Sequence, residues 1–195
     1  MKKALIYNKF LCLGDSITYG SRDEYNRAWP FELADMMWKE YHHCWIPIIR
    51  AEPGLTTAGL LRKVYDWTSG EKVYKVIILI GTNDSKPKIA TPIDIFRKNY
   101  EGILRTVQVQ QPDAFIFLCT LPNIYFGSPD YNDTSEELII EYNKVIIDIA
   151  KDHYLIDLRG LPHDVYADSV HFLNAGSVAI ARRVFNVIRE NFFNW

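Results

Sequence analysis

At 195 residues the chain has the length of one domain, and its 48% hydrophobic content is enough for a single sizeable core. Lysine and arginine number 22 against 24 aspartates and glutamates, a formal net charge of −2, so no basic face is implied and nucleic acid is a poor candidate partner. The cysteines are three, Cys12, Cys44 and Cys119, each in or beside an apolar run, which fits free thiols in a reducing compartment better than a disulfide framework.

The opening Met1-Lys2-Lys3-Ala4-Leu5-Ile6 could pass for a signal peptide. Asn8 and Lys9 interrupt it, however, no small-residue cleavage pattern follows, and its removal would take Ser16 or come close to it. A cytoplasmic protein is therefore expected. No apolar run approaches the roughly 20 residues that span a bilayer, so no membrane is expected as a partner. No repeat, linker or low-complexity tract divides the chain, and residues 1–195 are expected to form one domain.

In chain order, the apolar run Phe10-Leu11-Cys12-Leu13 stops at Gly14-Asp15-Ser16-Ile17-Thr18-Tyr19-Gly20, as a buried strand ending at a sheet edge with Ser16 on a loop. A helix follows from about Arg27 to Tyr41, with Phe31, Ala34, Trp38 and Tyr41 as its inward stripe and Pro30 early in it. Cys44 to Ala51 reads as a second strand, closed by Glu52-Pro53-Gly54. Thr56 or Thr57 then caps a helix carrying Leu60, Leu61 and Val64.

Val73 to Ile80 is apolar enough to be buried on both faces, and it stops at Gly81-Thr82-Asn83-Asp84. Thr91 and Pro92 are expected as cap and first residue of a helix through Phe96, Tyr100, Ile103 and Val107. Ala114 to Thr120 is a fourth strand, and a long loop from Leu121 to Asp133 follows. Thr134-Ser135-Glu136-Glu137 has capping-box spacing and opens a helix with Leu138, Tyr142, Val145, Ile146 and Ile149 inward. Tyr154 to Leu158 is a short fifth strand, and a last helix begins near Asn174 with Val178, Ala181, Phe185 and Ile188 on one stripe. Strands alternating with helices predict an α/β fold: a three-layer α/β/α sandwich around a five-stranded parallel sheet, flavodoxin-like, in strand order 2-1-3-4-5.

In such a sheet, sites form outside the carboxyl ends of the strands. The turns Gly14-Asp15-Ser16, Pro53-Gly54-Leu55 and Gly81-Thr82-Asn83 should therefore share one edge. Ser16 can supply a nucleophile; its own N–H and that of Gly54 can donate to an oxyanion, and the Asn83 amide can add a third donor. Each residue has a plainer reading, Ser16 and Gly54 as turn residues and Asn83 as the head of an Asx-turn. Asp168 stands three residues ahead of His171, so it can bond one ring nitrogen and leave the other to take a proton from Ser16. A surface histidine beside an aspartate is the plainer alternative. His42, His43, His153 and His163 show no zinc spacing, and no metal site is expected.

Taken together, these segments resemble the SGNH hydrolases, also called GDSL esterases and lipases. Gly14-Asp15-Ser16 with Ile17-Thr18-Tyr19-Gly20 is similar to the first block of that family, and Gly54-Leu55-Thr56-Thr57 to the second. Gly81-Thr82-Asn83-Asp84 is similar to the third and Asp168-Ser169-Val170-His171 to the last, in the family's order. The resemblance implies a triad of Ser16, His171 and Asp168 and an oxyanion hole from Ser16, Gly54 and Asn83, with no cofactor. Asp15 and Asp84 are expected to support their turns. The second block departs from the usual pattern, with Arg50-Ala51-Glu52-Pro53 where an asparagine and small residues are common and Leu55 where a polar residue often sits.

The expected function is hydrolysis of a small-molecule ester with a short acyl group such as acetyl, on a carbohydrate or another small alcohol, through an acyl-enzyme. Acyl transfer, lysophospholipase or thioesterase chemistry with the same triad, and a silent binding module, are the alternatives. A dinucleotide fingerprint, a P-loop and a Gly-x-Ser-x-Gly elbow are all missing, which disfavours nucleotide binding and the α/β-hydrolase fold. Tyr125 and Phe126, with Pro129 and Tyr131 on the same loop, and Tyr19 and Tyr25 after the nucleophile, are the aromatic residues expected at the mouth of the site; Trp29 fits core packing better. Oligomeric state is not legible.

Overall fold

The β-branched stretch Lys75–Leu79 forms β3, buried along its length at the middle of the sheet. Val76, Ile77 and Ile78 suit a pleated strand whose two faces are both covered. The computed structural model describes residues 8–125 and 130–192; Met1–Ile6, Phe126 and Pro129 lie outside them. Around β3 are β1 (Asn8–Gly14), β2 (Trp45–Ala51), β4 (Phe115–Cys119) and β5 (Tyr154–Ile156), all parallel, in the order β2-β1-β3-β4-β5. This is the expected order, and it leaves β2 and β5 as edges.

Six α-helices are described: α1 (Ser16–Tyr19), α2 (Trp29–Tyr41), α3 (Thr57–Thr68), α4 (Ile93–Gln110), α5 (Asp133–Ile149) and α6 (Asn174–Phe192). Helix α2 packs on α6, while α3 packs on α4 and α4 on α5, giving one helical layer on each face of the sheet. Phe96, Tyr100, Ile103 and Val107 of α4 are fully buried, as their spacing predicts, and Phe96 stacks on Tyr142 of α5 with ring centroids 4.0 Å apart. Among the described residues no helix is long and apolar enough to cross a membrane.

Three local expectations are corrected. Helix α2 turns inward through Trp29, Leu33 and Met37, whereas Phe31 and Trp38 are 45% and 51% exposed. Apolar residues occur all round this helix, so two stripes fit a 3.6-residue period, and burial goes to the one that includes Trp29 at the helix start. Helix α4 begins at Ile93 after Pro92, and the Thr91 hydroxyl donates to Asp84 (3.0 Å) instead of capping the helix. Helix α5 starts earlier than Thr134, because Asn132 accepts from the Ser135 N–H while the Ser135 hydroxyl accepts from the Asn132 N–H, both at 3.2 Å. That reciprocal pair is the capping box, formed by a different pair of residues from the one its spacing suggested.

Leu33→Ala should therefore cost about 2–5 kcal/mol of stability by opening a core cavity. Trp38→Ala should cost less than about 1 kcal/mol. Urea unfolding followed by circular dichroism distinguishes the two stripes, and equal losses would contradict the inward face assigned here.

Candidate active site

The first strand ends where there is no room for a side chain: a Cβ on Gly14 would collide with Thr18 and with the carbonyl of Leu79. Asp15 then caps α1, its Oδ1 accepting from the Ile17 N–H at 3.0 Å. Ser16 is accordingly the first residue of a one-turn helix, not a loop residue as expected. Its own N–H is one of the donors that a helix start leaves without an internal acceptor.

His171 and Asp168 lie on the chain between β5 and α6, far from Ser16 in sequence. That segment is closed by a bridge between Tyr166 and Phe172 and by a bond from the Ala167 N–H to the His171 carbonyl, 2.8 Å. It brings His171 Nε2 to 2.9 Å from Ser16 Oγ. The other ring nitrogen, Nδ1, is 2.8 Å and 3.0 Å from the two carboxylate oxygens of Asp168. A carboxylate can only accept, so the ring proton belongs on Nδ1 and Nε2 is free to accept the serine proton. Partial burial pushes the Asp168 carboxyl up, but the N–H groups of Val170 and His171, at 3.0 and 2.9 Å, and the imidazole outweigh it and hold the group below the ordinary carboxylate range.

Gly54 follows β2 in a left-handed conformation, φ +81°, with nothing within 4 Å of where a Cβ would stand. The positive φ favours glycine there, and the position opens onto solvent. Asn83 follows β3 on the 3₁₀ turn Thr82–Ser85, and its side-chain Nδ2 donates to the Leu55 carbonyl at 3.0 Å and to Asp15 Oδ2 at 3.4 Å. Beneath them, the Asp84 carboxylate accepts from the Thr57 N–H (2.8 Å), the Thr57 hydroxyl (2.6 Å) and the Thr91 hydroxyl. Burial raises the Asp84 pKa, against those hydrogen bonds.

Ser16, Gly54, Asn83, Asp168 and His171 share one cleft of about 390 Å³, whose walls also carry Arg22, Pro53, Lys86, Asp130, Tyr131 and Val170. The structure thus brings together the expected serine, histidine, acid and hole residues. It does not bring Tyr19 or Tyr125 into the cleft wall. Tyr19 is 58% exposed, at the end of α1. Tyr125 packs edge-on against His163 and Tyr166, and its hydroxyl donates to the Leu161 carbonyl at 3.2 Å, so it braces the Asp168 segment from behind. The expected contact from Phe126 falls outside the described residues, Tyr25 is exposed, and Trp29 is fully buried as packing.

Sequence reasoning missed Arg22, Lys86 and Asp130. Lys86 had a signal, since it directly follows the tight turn that carries Asn83. Arg22 had none, because it reaches the cleft from a positive-φ turn (φ 73°) that nothing in its neighbours announces. Among the described residues no group of three His, Cys, Asp or Glu side chains is placed to hold a metal ion.

A sequence profile described as the GDSL-like Lipase/Acylhydrolase family matches residues 12–178. No curated protein matches the chain. Among solved structures, a lipase/acylhydrolase from Enterococcus faecalis superposes with a TM-score of 0.80 at 24% identity, covering 94% of this chain and 96% of that one. An acetyl xylan esterase, AlAXEase, gives 0.75 at 22% identity over 92% and 99% of the two chains. A carbohydrate acetylesterase family member from Sinorhizobium meliloti gives 0.74 at 19% over 94% and 98%. These likenesses show a shared fold.

Burial pushes the Asp15 carboxyl from 3.8 up to about 7, with the Ile17 N–H opposing and Asp84 adding to the rise. The folded state then binds this proton more tightly than the unfolded chain, so Asp15 costs stability increasingly as pH rises from about 4 to about 7, and fully above that. Asp15→Asn retains a capping oxygen without the charge. Its unfolding free energy relative to the parent should shift in its favour by about 2–4 kcal/mol between pH 4 and pH 8. Urea titrations at a series of pH values measure the difference, and a pH-independent gap would contradict a buried, proton-holding Asp15.

Proposed function

The chain belongs to the GDSL-like lipase/acylhydrolase family, a family of carboxylic ester hydrolases, and from that premise we propose that it is a serine esterase acting on short acyl esters, acetyl esters of carbohydrates above all. The observation that carries this reading is the unbroken run of contacts from Ser16 Oγ through His171 to Asp168. His171 Nε2 takes the serine proton as Oγ bonds to the ester carbonyl carbon, and Asp168 stabilises the imidazolium that results. The carbonyl oxygen becomes an oxyanion held by the N–H groups of Ser16 and Gly54 and by Asn83 Nδ2. On collapse the bond to the leaving alcohol breaks, the alcohol receives the proton from His171, and an acyl-Ser16 remains. A water deprotonated by the same imidazole then attacks the acyl carbon and frees the acid and the serine.

Two observations support a small acyl group and a hydroxyl-rich leaving group. The apolar side chains of the cleft wall are Pro53, Tyr131 and Val170, which can face a short acyl group. Arg22, Lys86, Asp130 and Ser169 offer hydrogen-bonding groups to a sugar. The acetyl xylan esterase and the carbohydrate acetylesterase among the similar folds point the same way.

Ser16→Ala should abolish labelling by a fluorophosphonate and hydrolysis of p-nitrophenyl acetate. Asn83→Ala should lower kcat by about 100- to 1000-fold. Across p-nitrophenyl esters of increasing chain length, kcat/KM should be highest for acetate, and acetylated xylose should release acetate. Parent-level turnover by Asn83→Ala would remove it from the hole, and a maximum at octanoate or longer would overturn the short-acyl assignment.

A further inference from the structure

An asparagine amide has two ends of nearly equal shape and opposite chemistry, so its orientation is set by what faces each end. The Asn83 amide is 4% exposed, and three loops converge on it. On the nitrogen side stand two acceptors from the turns after β2 and β1, the Leu55 carbonyl at 3.0 Å and Asp15 Oδ2 at 3.4 Å. On the oxygen side stands one donor, the Tyr131 hydroxyl, 3.4 Å from Oδ1. Tyr131 is 8% exposed, on the loop between β4 and α5, and its ring lies 5.5 Å from the Lys86 ammonium.

We propose that Tyr131 is a positioning residue for ester hydrolysis, its hydroxyl holding the Asn83 amide in the orientation that presents Nδ2, and not Oδ1, to the reacting carbonyl oxygen. The reversed amide would set Oδ1 against the Leu55 carbonyl and put an acceptor where the oxyanion develops. Leu55 engages one amide proton at 3.0 Å, and the second, turned toward Asp15 at 3.4 Å, is the one that swings to the oxyanion as it develops. Burial, reinforced by Asp15, Asp130 and Asp168, pushes the Tyr131 phenol up, which favours the protonated, donating hydroxyl. The proposal rests on the reading of Asn83 as a hole donor.

Tyr131→Phe removes the donor and keeps the ring. With p-nitrophenyl acetate, this variant should lose about 3- to 10-fold in kcat, the worth of one neutral hydrogen bond, with KM within about twofold of the parent. In the Asn83→Ala background the same change should cost less than about twofold, because the amide it orients is gone. Unfolding curves of all four proteins establish that each is folded at the assay temperature. Equal loss in both backgrounds, loss expressed in KM, or unchanged kcat in Tyr131→Phe alongside an impaired Asn83→Ala would overturn the role of Tyr131 and leave the hole reading intact. Parent-level activity in Asn83→Ala would end both.

Discussion

The buried carboxylate of Asp84 is the constraint on which the geometry of the cleft depends. It accepts from the backbone and hydroxyl of Thr57 at the start of α3 and from the hydroxyl of Thr91 just before α4. Asn99 of α4 in turn donates to the Thr57 hydroxyl at 3.1 Å, and the Tyr142 hydroxyl of α5 bonds to the carbonyl of Thr91 at 2.5 Å. Three helices and the turn after β3 are thereby tied to one group. Asn83 is its chain neighbour, and the Gly54 turn leads directly into Thr57, so the spacing between those two parts of the cleft is set from below. Satisfied donors compensate for much of the cost of burying the charge, and a partial set would be worse than none.

Three of the aspartates in and beneath the cleft, Asp15, Asp84 and Asp168, differ by environment. Asp15 and Asp84 are enclosed, and burial raises both. Asp168 is nearer to solvent and faces two backbone N–H groups and the imidazole, which keep it below its ordinary range. On the proposed mechanism, the acid that stays charged beside the histidine is the one with donors at hand and part of its side chain exposed, while the two beneath act as hydrogen-bond acceptors for the framework.

Much of this was legible in the chain. Apolar runs that stop at Gly14, Pro53 and Gly81 mark strand ends, and parallel order forces their turns to one edge, so the sequence alone groups Ser16, Gly54 and Asn83. The Asp168–His171 spacing suggested a local pair, because a short turn brings such residues together without long-range information. What stayed hidden depends on packing between distant segments. Phe31 and Trp38 looked as suitable for the core as Leu33 and Met37, since hydrophobicity alone does not say which stripe meets α6. Tyr125 looked like a substrate contact because aromatic loop residues often are; its hydroxyl instead finds a carbonyl on the segment after β5, a partner that no spacing announces. Resemblance to the family covered the four blocks, and Tyr131 lies between them.

The bridge between Tyr166 and Phe172 closes the loop that carries both Asp168 and His171. Acid and imidazole therefore travel as one piece, and their mutual alignment survives any small displacement of that loop. The alcohol oxygen, by contrast, is anchored to the end of the central sheet. On the proposed mechanism the 2.9 Å gap between Ser16 and His171 is kept closed by ties across the two segments, Arg22 Nε to Asp168 at 3.6 Å and the Asn174 N–H to Glu24 at 2.8 Å, so a substitution that cuts those ties would loosen proton removal while leaving the ring aligned with its acid.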